Sequence, residues 1–264
     1  MNICFWSNVH GQTGATCSMI AVSLYNSIVN KSKNAVMQTH YSMNNLSKSI
    51  LGNKFENTVL GVGIDALMRD VKTGPITQTT ANDDSVSVLN GLYSVFPETV
   101  RDNKVPYEKD LLAFYKPVIN GLDPFYDNLY IDVASGYSEA SMKILDNADI
   151  VVICLCQNRN VIDHYLKEPI KHKNVIYLFG NYDYQSKYNI KNLRRTYPVL
   201  KKNTCVSIAY STNFMDSLND GSVVEFFYRK CDVSTLSENY HFIQSVKGVV
   251  TAINMKGEIL YEND

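Results

Sequence analysis

The sequence predicts a doubly wound α/β fold, one mostly parallel sheet with helices on both faces. Three observations predict it. Short apolar runs alternate with helical patterns along the chain. The runs 129–132, 150–155 and 175–179 are almost continuously apolar, as strands covered on both faces must be. No repeat, low-complexity tract or long Gly/Ser linker divides the 264 residues, so a single domain, 1–264, is expected.

The first strand is expected at Asn2-Ile-Cys-Phe-Trp6, followed by a polar, Gly-containing loop over residues 7–14. Ile20, Leu24 and Ile28 then recur at i, i+4 and i+8 with Tyr25 beside them, the pattern of a helix with one apolar face. A second strand is expected over 35–38, a helix over 63–69 and a short strand over 92–96. Pro106 sits near the start of a helix carrying Leu111, Leu112, Tyr115 and Val118. The three apolar runs follow, and 205–209 is the expected last strand. Thr235-x-x-Glu238 has capping-box spacing and is expected to start the final helix, with Tyr240, Ile243, Val246 and Val250 on one side.

Hydrophobic residues make up 45% of the chain and charged residues 19%, the balance of a globular protein. The formal net charge of −1 gives no overall basic field, so nucleic acid would need a local patch. Lys187, Lys191, Arg194, Arg195, Lys201 and Lys202 form such a cluster, but in a chain with no overall basic charge a solvated helix face is the favoured reading. Cys4, Cys17, Cys154, Cys156, Cys205 and Cys231 form no CxxC pair and read as buried reduced thiols, with Cys154 and Cys156 on one side of a strand. His40, His164, His172 and His241 lie in scattered contexts and receive no role. There is no signal-peptide pattern and no apolar run long enough to span a membrane, and the last residues, 257–264, are short and acidic. A cytoplasmic protein without a direct membrane anchor is the expectation.

The chemistry sits in the loop after the first strand. Strand, then His10-Gly-Gln-Thr-Gly-Ala-Thr-Cys17, then helix is the order of a phosphate-binding loop. Successive backbone N–H groups and a helix N-terminus make an anion site, and Gly11 and Gly14 let the backbone curl. Thr16 would stand at the helix start, where a phosphate-loop threonine helps hold Mg²⁺. Ala15 occupies the position of the usual lysine. The same residues also read as a plain strand-to-helix turn capped by Thr16.

The loop resembles the deviant Walker A motif of the ParA/MinD family of P-loop ATPases, Lys-Gly-Gly-x-Gly-Lys-Thr-Thr. His10 falls on the signature lysine, Gln12 on the second glycine, Ala15 on the phosphate-loop lysine, Thr16 on the Mg²⁺ threonine and Cys17 on the next threonine. Residues 35–47 are similar to the family's strand followed by Asp-x-Asp-Pro-Gln-x-Asn-Leu-Thr. Thr39 and Tyr41 stand at the two aspartates, while Asn45, Leu46 and Ser47 keep the pattern. Residues 126–135 resemble its Walker B region, with Asp132 as the Mg²⁺-side carboxylate. Gly180-Asn-Tyr-Asp183 resembles the segment whose asparagine, here Asn181, faces adenine, and Ala209-Tyr-Ser211 occupies the place of an Ile-Pro-Tyr turn without its proline. The likeness spans residues 2–253 and looks nearest to the TadZ/CpaE-like or mobile-element branch.

This resemblance implies a site for ATP or ADP with Mg²⁺, built on Gly11, Gln12, Thr13, Gly14, Ala15, Thr16, Cys17 and Asn181, with Thr16 and Asp132 toward the metal and no catalytic residue. It also implies a homodimer. Without both lysines and the acidic pair, transition-state charge loses its stabilisers. The expectation is a degenerate scaffold with weak or absent hydrolysis that positions a partner assembly for secretion, pilus formation or DNA transfer. The alternatives are an active ATPase with an unusual loop, and a partition protein that binds DNA nonspecifically.

Overall fold

The structure is a computed structural model and describes residues 1–42, 45–52, 61–202, 204–231 and 234–261. Eight strands form one sheet: β1 (Asn2–Trp6), β2 (Asn34–Gln38), β3 (Val86–Val88), β4 (Tyr93–Phe96), β5 (Asn128–Asp132), β6 (Ile150–Leu155), β7 (Val175–Tyr182) and β8 (Thr204–Ala209). Their order is β3-β4-β2-β5-β1-β6-β7-β8. Every adjacent pair is parallel except β3 with β4. The strand at residues 86–88 was not anticipated; at three half-exposed residues it is too short for a periodicity to register.

Alternation along each strand sorts side chains between two cores. From β1, Ile3 and Phe5 join Val36, Tyr130, Val152 and Ile176 on one face. There α1 (Ala15–Asn30) and α12 (Tyr240–Tyr261) cover them, α12 through Ile243, Val246 and Val250. From the same strand Cys4 and Trp6 join Met37, Ile131, Ile153 and Tyr177 on the other face. α5 (Lys104–Leu122) packs there through Leu111, Tyr115 and Val118. α3 (Ile64–Asp70), α6 (Glu139–Asp146), α7 (Arg159–Lys167) and α8 (Ile190–Thr196) complete that layer. Burying a sheet on both faces is what makes its central strands near-continuously apolar.

Three expectations need correction. α12 begins at Tyr240, so Thr235 and Glu238 lie in the preceding turns and do not cap it. Glu238 instead accepts a hydrogen bond from the Asn213 side chain at 2.6 Å, and Leu236 beside it is almost fully exposed. The capping-box spacing at 235–238 therefore marks a turn before the helix and not its cap. Second, β6 ends at Leu155, which breaks the alternation, so Cys154 lies in the α1/α12 core and Cys156 packs against the opposite one. Third, all six cysteines are free, but Cys17, Cys156 and Cys231 are only half-buried.

The topology places the site. From β1 the chain crosses to β2 on one side, and β5 crosses over β1 to β6 on the other. The strand order reverses at β1, and a crevice opens outside the C-terminal ends of β5, β1 and β6.

Candidate functional site

The loop 7–14 fills that crevice. Its root is fixed: the Trp6 indole N–H donates to the Gly136 carbonyl at 3.0 Å, and the Gly136 N–H donates to the Ser7 carbonyl at 2.9 Å. Asn8 donates to the Val161 carbonyl at 3.1 Å and contacts His164 Nδ1 at 2.9 Å, which ties the loop to α7. Gly11 and Gly14 have φ of +73° and +67°, left-handed conformations that favour glycine. His10, Gly11 and Gln12 are exposed, and Thr13 is buried.

On the β7 side the loop touches Gly180 and Asn181. A Cβ on Gly180 would lie 2.2 Å from the Thr13 carbonyl oxygen, so only glycine admits this approach. A register shift in the β7–β8 pairing falls between Phe179 and Tyr182, and Asn181 has φ +47°. That irregularity turns Asn181 onto the loop, where its amide nitrogen would stand 3.2 Å from a Cβ on Gly14.

Gly14 precedes α1, and no side chain caps the helix. Thr16 is therefore not the cap of a plain turn. Its hydroxyl donates to Asp132 Oδ2 at 2.6 Å. The uncapped start of a 16-residue helix, with no acidic residue in its first turn, is an anion-binding end. Asp132 ends β5 and is fully buried. Burial pushes its carboxyl above the usual range, against the opposing pull of His40 and of the Thr16 hydrogen bond. Burial likewise raises the Cys17 thiol to about 11, which keeps it protonated.

The end of β2 is built differently. Thr39 is buried, and its hydroxyl donates to the Asp132 carbonyl at 3.3 Å and accepts from the Ala134 N–H at 3.1 Å. The Thr39 carbonyl accepts from the Tyr107 hydroxyl at 3.1 Å, and the Tyr41 ring packs 6.1 Å from that of Tyr107. Both positions of the resemblance's acidic pair thus serve as structural ties. Residues 43–44 lie outside the described residues. Asn45 caps α2 (Leu46–Leu51) without a side-chain bond; the Ser47 N–H is held instead by Glu98 Oε1 at 2.8 Å.

Between the two ends stands His40, which the sequence left without a role. Its Nε2 lies 3.7 Å from Asp132 Oδ1, its Nδ1 is 2.7 Å from the Gln38 amide nitrogen, and its ring is 6.3 Å from that of His10. No local pattern marks it, because its partner Asp132 lies far along the chain. His10, Thr39, His40, Ser135 and Ser138 open onto a cleft of about 260 Å³, with Lys104 at its rim.

A second, open cleft of about 990 Å³ lies beyond Asn181, lined by Tyr184, Tyr210, Glu238, His241 and Phe242. Tyr184 and Tyr210 are exposed, and the Tyr184 ring lies 6.3 Å from His241. Gln157 holds its wall, donating to the Asp183 carbonyl at 2.9 Å and accepting from the Asp183 N–H at 2.8 Å. Asn181 is the one residue of the expected set that borders both the loop and this cleft.

Thr16 Oγ1 and the Asp132 carboxylate are hard oxygen donors, and Asp132 Oδ1 is a buried acceptor without a partner. This donor set fits Mg²⁺, which takes one or two protein oxygens and completes its shell with phosphate and water. Of the basic cluster, Lys187, Lys191, Arg194 and Arg195 are exposed, although Arg194 is partly committed to the Cys205 carbonyl at 3.2 Å. The side chains of Lys201 and Lys202 lie outside the described residues, as do residues 262–264 of the acidic end. No described helix is long and apolar enough to cross a membrane.

No family model matches the chain, and no curated protein matches it in sequence. Solved structures do match. A ParA family ATPase from Chlorobium tepidum TLS superposes with a TM-score of 0.71 at 11% identity, over 95% of this chain and 98% of that one. A putative plasmid partition protein from Borrelia burgdorferi B31 bound to AMPPNP gives 0.66 at 11%, over 97% and 99%. The septum site-determining protein MinD from Pyrococcus horikoshii OT3, complexed with Mg-ADP, gives 0.66 at 15%, over 97% and 99%. The fold is that of the ParA/MinD P-loop proteins.

Proposed function

We propose that this chain, on a ParA/MinD fold, is a nucleotide-binding scaffold of that family with weak or absent ATP hydrolysis. One observation carries the reading: Thr16 and Asp132 are joined at an uncapped helix N-terminus, while Ala15, Thr39 and Tyr41 supply neither lysine nor acid. The loop from Gly11 to Cys17 would cradle the phosphates through backbone N–H groups and the α1 dipole. Thr16 and Asp132 would hold Mg²⁺, which when bound supplies positive charge beside the phosphates. The cleft from Asn181 to Tyr210 would take the base, with Tyr184 and His241 as stacking surfaces.

Binding survives such losses better than turnover does. Backbone donors remain in place, but a missing cation or acid acts on the transition state, at a cost of several kcal/mol in the barrier. A scaffold that keeps its nucleotide suits a homodimer that positions a secretion, pilus or DNA-transfer assembly. Its placement within the TadZ/CpaE-like or mobile-element branch, and in the cytoplasm, belongs to the same proposal.

Calorimetry with ADP and ATP in the presence of Mg²⁺, run beside a phosphate-release assay, tests it. Binding without release is the expected result. Multiple-turnover release would sink the scaffold reading in favour of an active ATPase. Light scattering with and without nucleotide reads the dimer.

A further inference from the structure

The order of the strands fixes which way a nucleotide would lie. Asn181 and the larger cleft belong to the end of β7, the loop 7–14 follows β1, Asp132 ends β5, and His40 follows β2. In the sheet these strands run β2-β5-β1-β6-β7. A base in the cleft beyond Asn181 therefore sends its phosphates across the loop toward Thr16 and Asp132. Past those two residues lies the smaller cleft of about 260 Å³, lined by His10, His40 and Ser135. His40 is 8% exposed, and its Nε2 is buried without a hydrogen-bond partner. Gln38 sets the direction of its ring. The Leu46 N–H faces Gln38 Oε1 at 3.4 Å, while Gln38 Nε2 faces His40 Nδ1 at 2.7 Å. A backbone N–H only donates, so the amide oxygen belongs on its side and the amide nitrogen donates to Nδ1. A neutral imidazole that accepts at Nδ1 carries its proton on Nε2. Asp132 Oδ1 lies 3.7 Å away, beyond hydrogen-bond reach. The fold thus keeps an unused N–H at the far end of the phosphate path.

We propose that the His40 Nε2–H donates to the terminal phosphate of a nucleoside triphosphate, so that the site holds a triphosphate in preference to a diphosphate. The proposal rests on the nucleotide reading above and leaves Thr16 and Asp132 to Mg²⁺. The ring supplies a hydrogen bond and no charge; the positive charge stays with the metal. A hydrogen bond to a charged acceptor is stronger than one between neutral groups. A buried N–H without an acceptor also carries a desolvation cost, which such an oxygen removes. A diphosphate ends at the loop and leaves the N–H unused, and a site built around a donor rejects the ligand that lacks its acceptor. This selection needs neither a lysine nor hydrolysis. His40 is then the specificity residue, and Gln38 positions it.

The test is calorimetric titration of ADP and of AMPPNP, a triphosphate analogue that is not hydrolysed, into the full chain in magnesium at pH 8. The wild-type protein should bind AMPPNP about tenfold more tightly than ADP. His40→Ala should bring the two affinities within about twofold of each other while changing that for ADP by less than about twofold. His40→Gln, whose amide also donates, should keep a preference of about threefold or more. A wild-type protein without preference, or a His40→Ala protein that keeps it, overturns the proposal. So does a His40→Ala protein that weakens for both nucleotides alike, which would make His40 a support for Asp132. A His40→Gln protein as unselective as His40→Ala assigns the effect to packing and overturns it too. Long-range ¹H–¹⁵N spectra of the nucleotide-free wild type give a readout that no variant's folding can disturb. They should show His40 as the Nε2–H tautomer, and an Nδ1–H ring overturns the proposal. A lost preference leaves the nucleotide reading standing, whereas absence of binding by both nucleotides sinks that reading and this proposal with it.

Discussion

The ends of β5 and β2 lie side by side in the sheet, and they are built in opposite ways. At the end of β5, Asp132 keeps a carboxylate fully buried and bonded to Thr16 of the loop. At the end of β2, Thr39 and Tyr41 are spent on the interior, holding Asp132, Ala134 and Tyr107 in place. One end holds a buried carboxylate with one oxygen left without a partner, and the other is a clamp of hydrogen bonds and ring packing. On the reading proposed above, the loop receives a phosphate largely through its backbone, whereas reaction would need side chains that the end of β2 does not supply.

Breaking the receiving end should have the largest effect. Gly180→Val places a Cβ 2.2 Å from the Thr13 carbonyl, a clash of backbone against side chain with no rotamer to relieve it. The loop must leave β7 or the strand must shift. A loss of about 3 kcal/mol is expected, or about 6–12 °C in Tm, together with loss of nucleotide binding. A Tm within a degree or two of the wild type would show that the loop is not seated on β7.

Breaking the clamp should cost less and touch binding little. Thr39→Val keeps the shape but deletes the hydroxyl that links the Asp132 carbonyl to the Ala134 N–H. We expect about 1–2 kcal/mol less stability by denaturant unfolding, with nucleotide affinity changed by less than about twofold. A large affinity loss with little destabilisation would make Thr39 a ligand contact and dissolve the contrast between the two ends.

The comparison sharpens if charge is returned to one end only. Ala15 is half-buried at the first position of α1, where a longer side chain can reach toward the loop. Ala15→Lys should tighten ADP and ATP by about tenfold, or about 1.4 kcal/mol, by calorimetry. Phosphate release should stay at background, because the end of β2 would still lack its acids. If release appears with this one change, the clamp is not what limits hydrolysis.

Much of this was legible in the sequence, and the reasons differ by element. The strands β1, β5, β6 and β7 announce themselves because burial on both faces forces continuous apolar runs. Local motifs single out Thr16, Asp132 and Asn181, and the fold joins Thr16 to Asp132 and sets Asn181 against Gly14 of the same loop. His40 was missed because its meaning lies in Asp132, a partner far along the chain that no local pattern links to it. Tyr184 and His241 were missed likewise, since only the packing of α12 beside the β7 end brings them together. Thr235 and Glu238 erred the other way, a local spacing with no tertiary support.

A buried carboxylate outside the cleft provides the smallest and most controlled test of what partners do for Asp132. Asp84 is 4% exposed, and its Oδ2 has no hydrogen-bond partner. Burial, with the nearby charge of Asp70, raises it to about 6, and Arg69 offsets this only in part. In the unfolded chain an aspartate titrates near 4. Between those two values the native state binds more protons than the unfolded one, so stability falls as pH rises through that window and stays lower above it. Asp84→Asn removes the charge and with it the slope. The variant should be more stable than the wild type by about 1 kcal/mol at pH 7, after the amide's own burial is counted, and no more stable near pH 4. Urea unfolding at the two pH values reads the difference directly. An equal gain at both would assign the effect to packing, and Asp84 would no longer measure what an unpaired carboxylate costs this fold without a Thr16 to bond it.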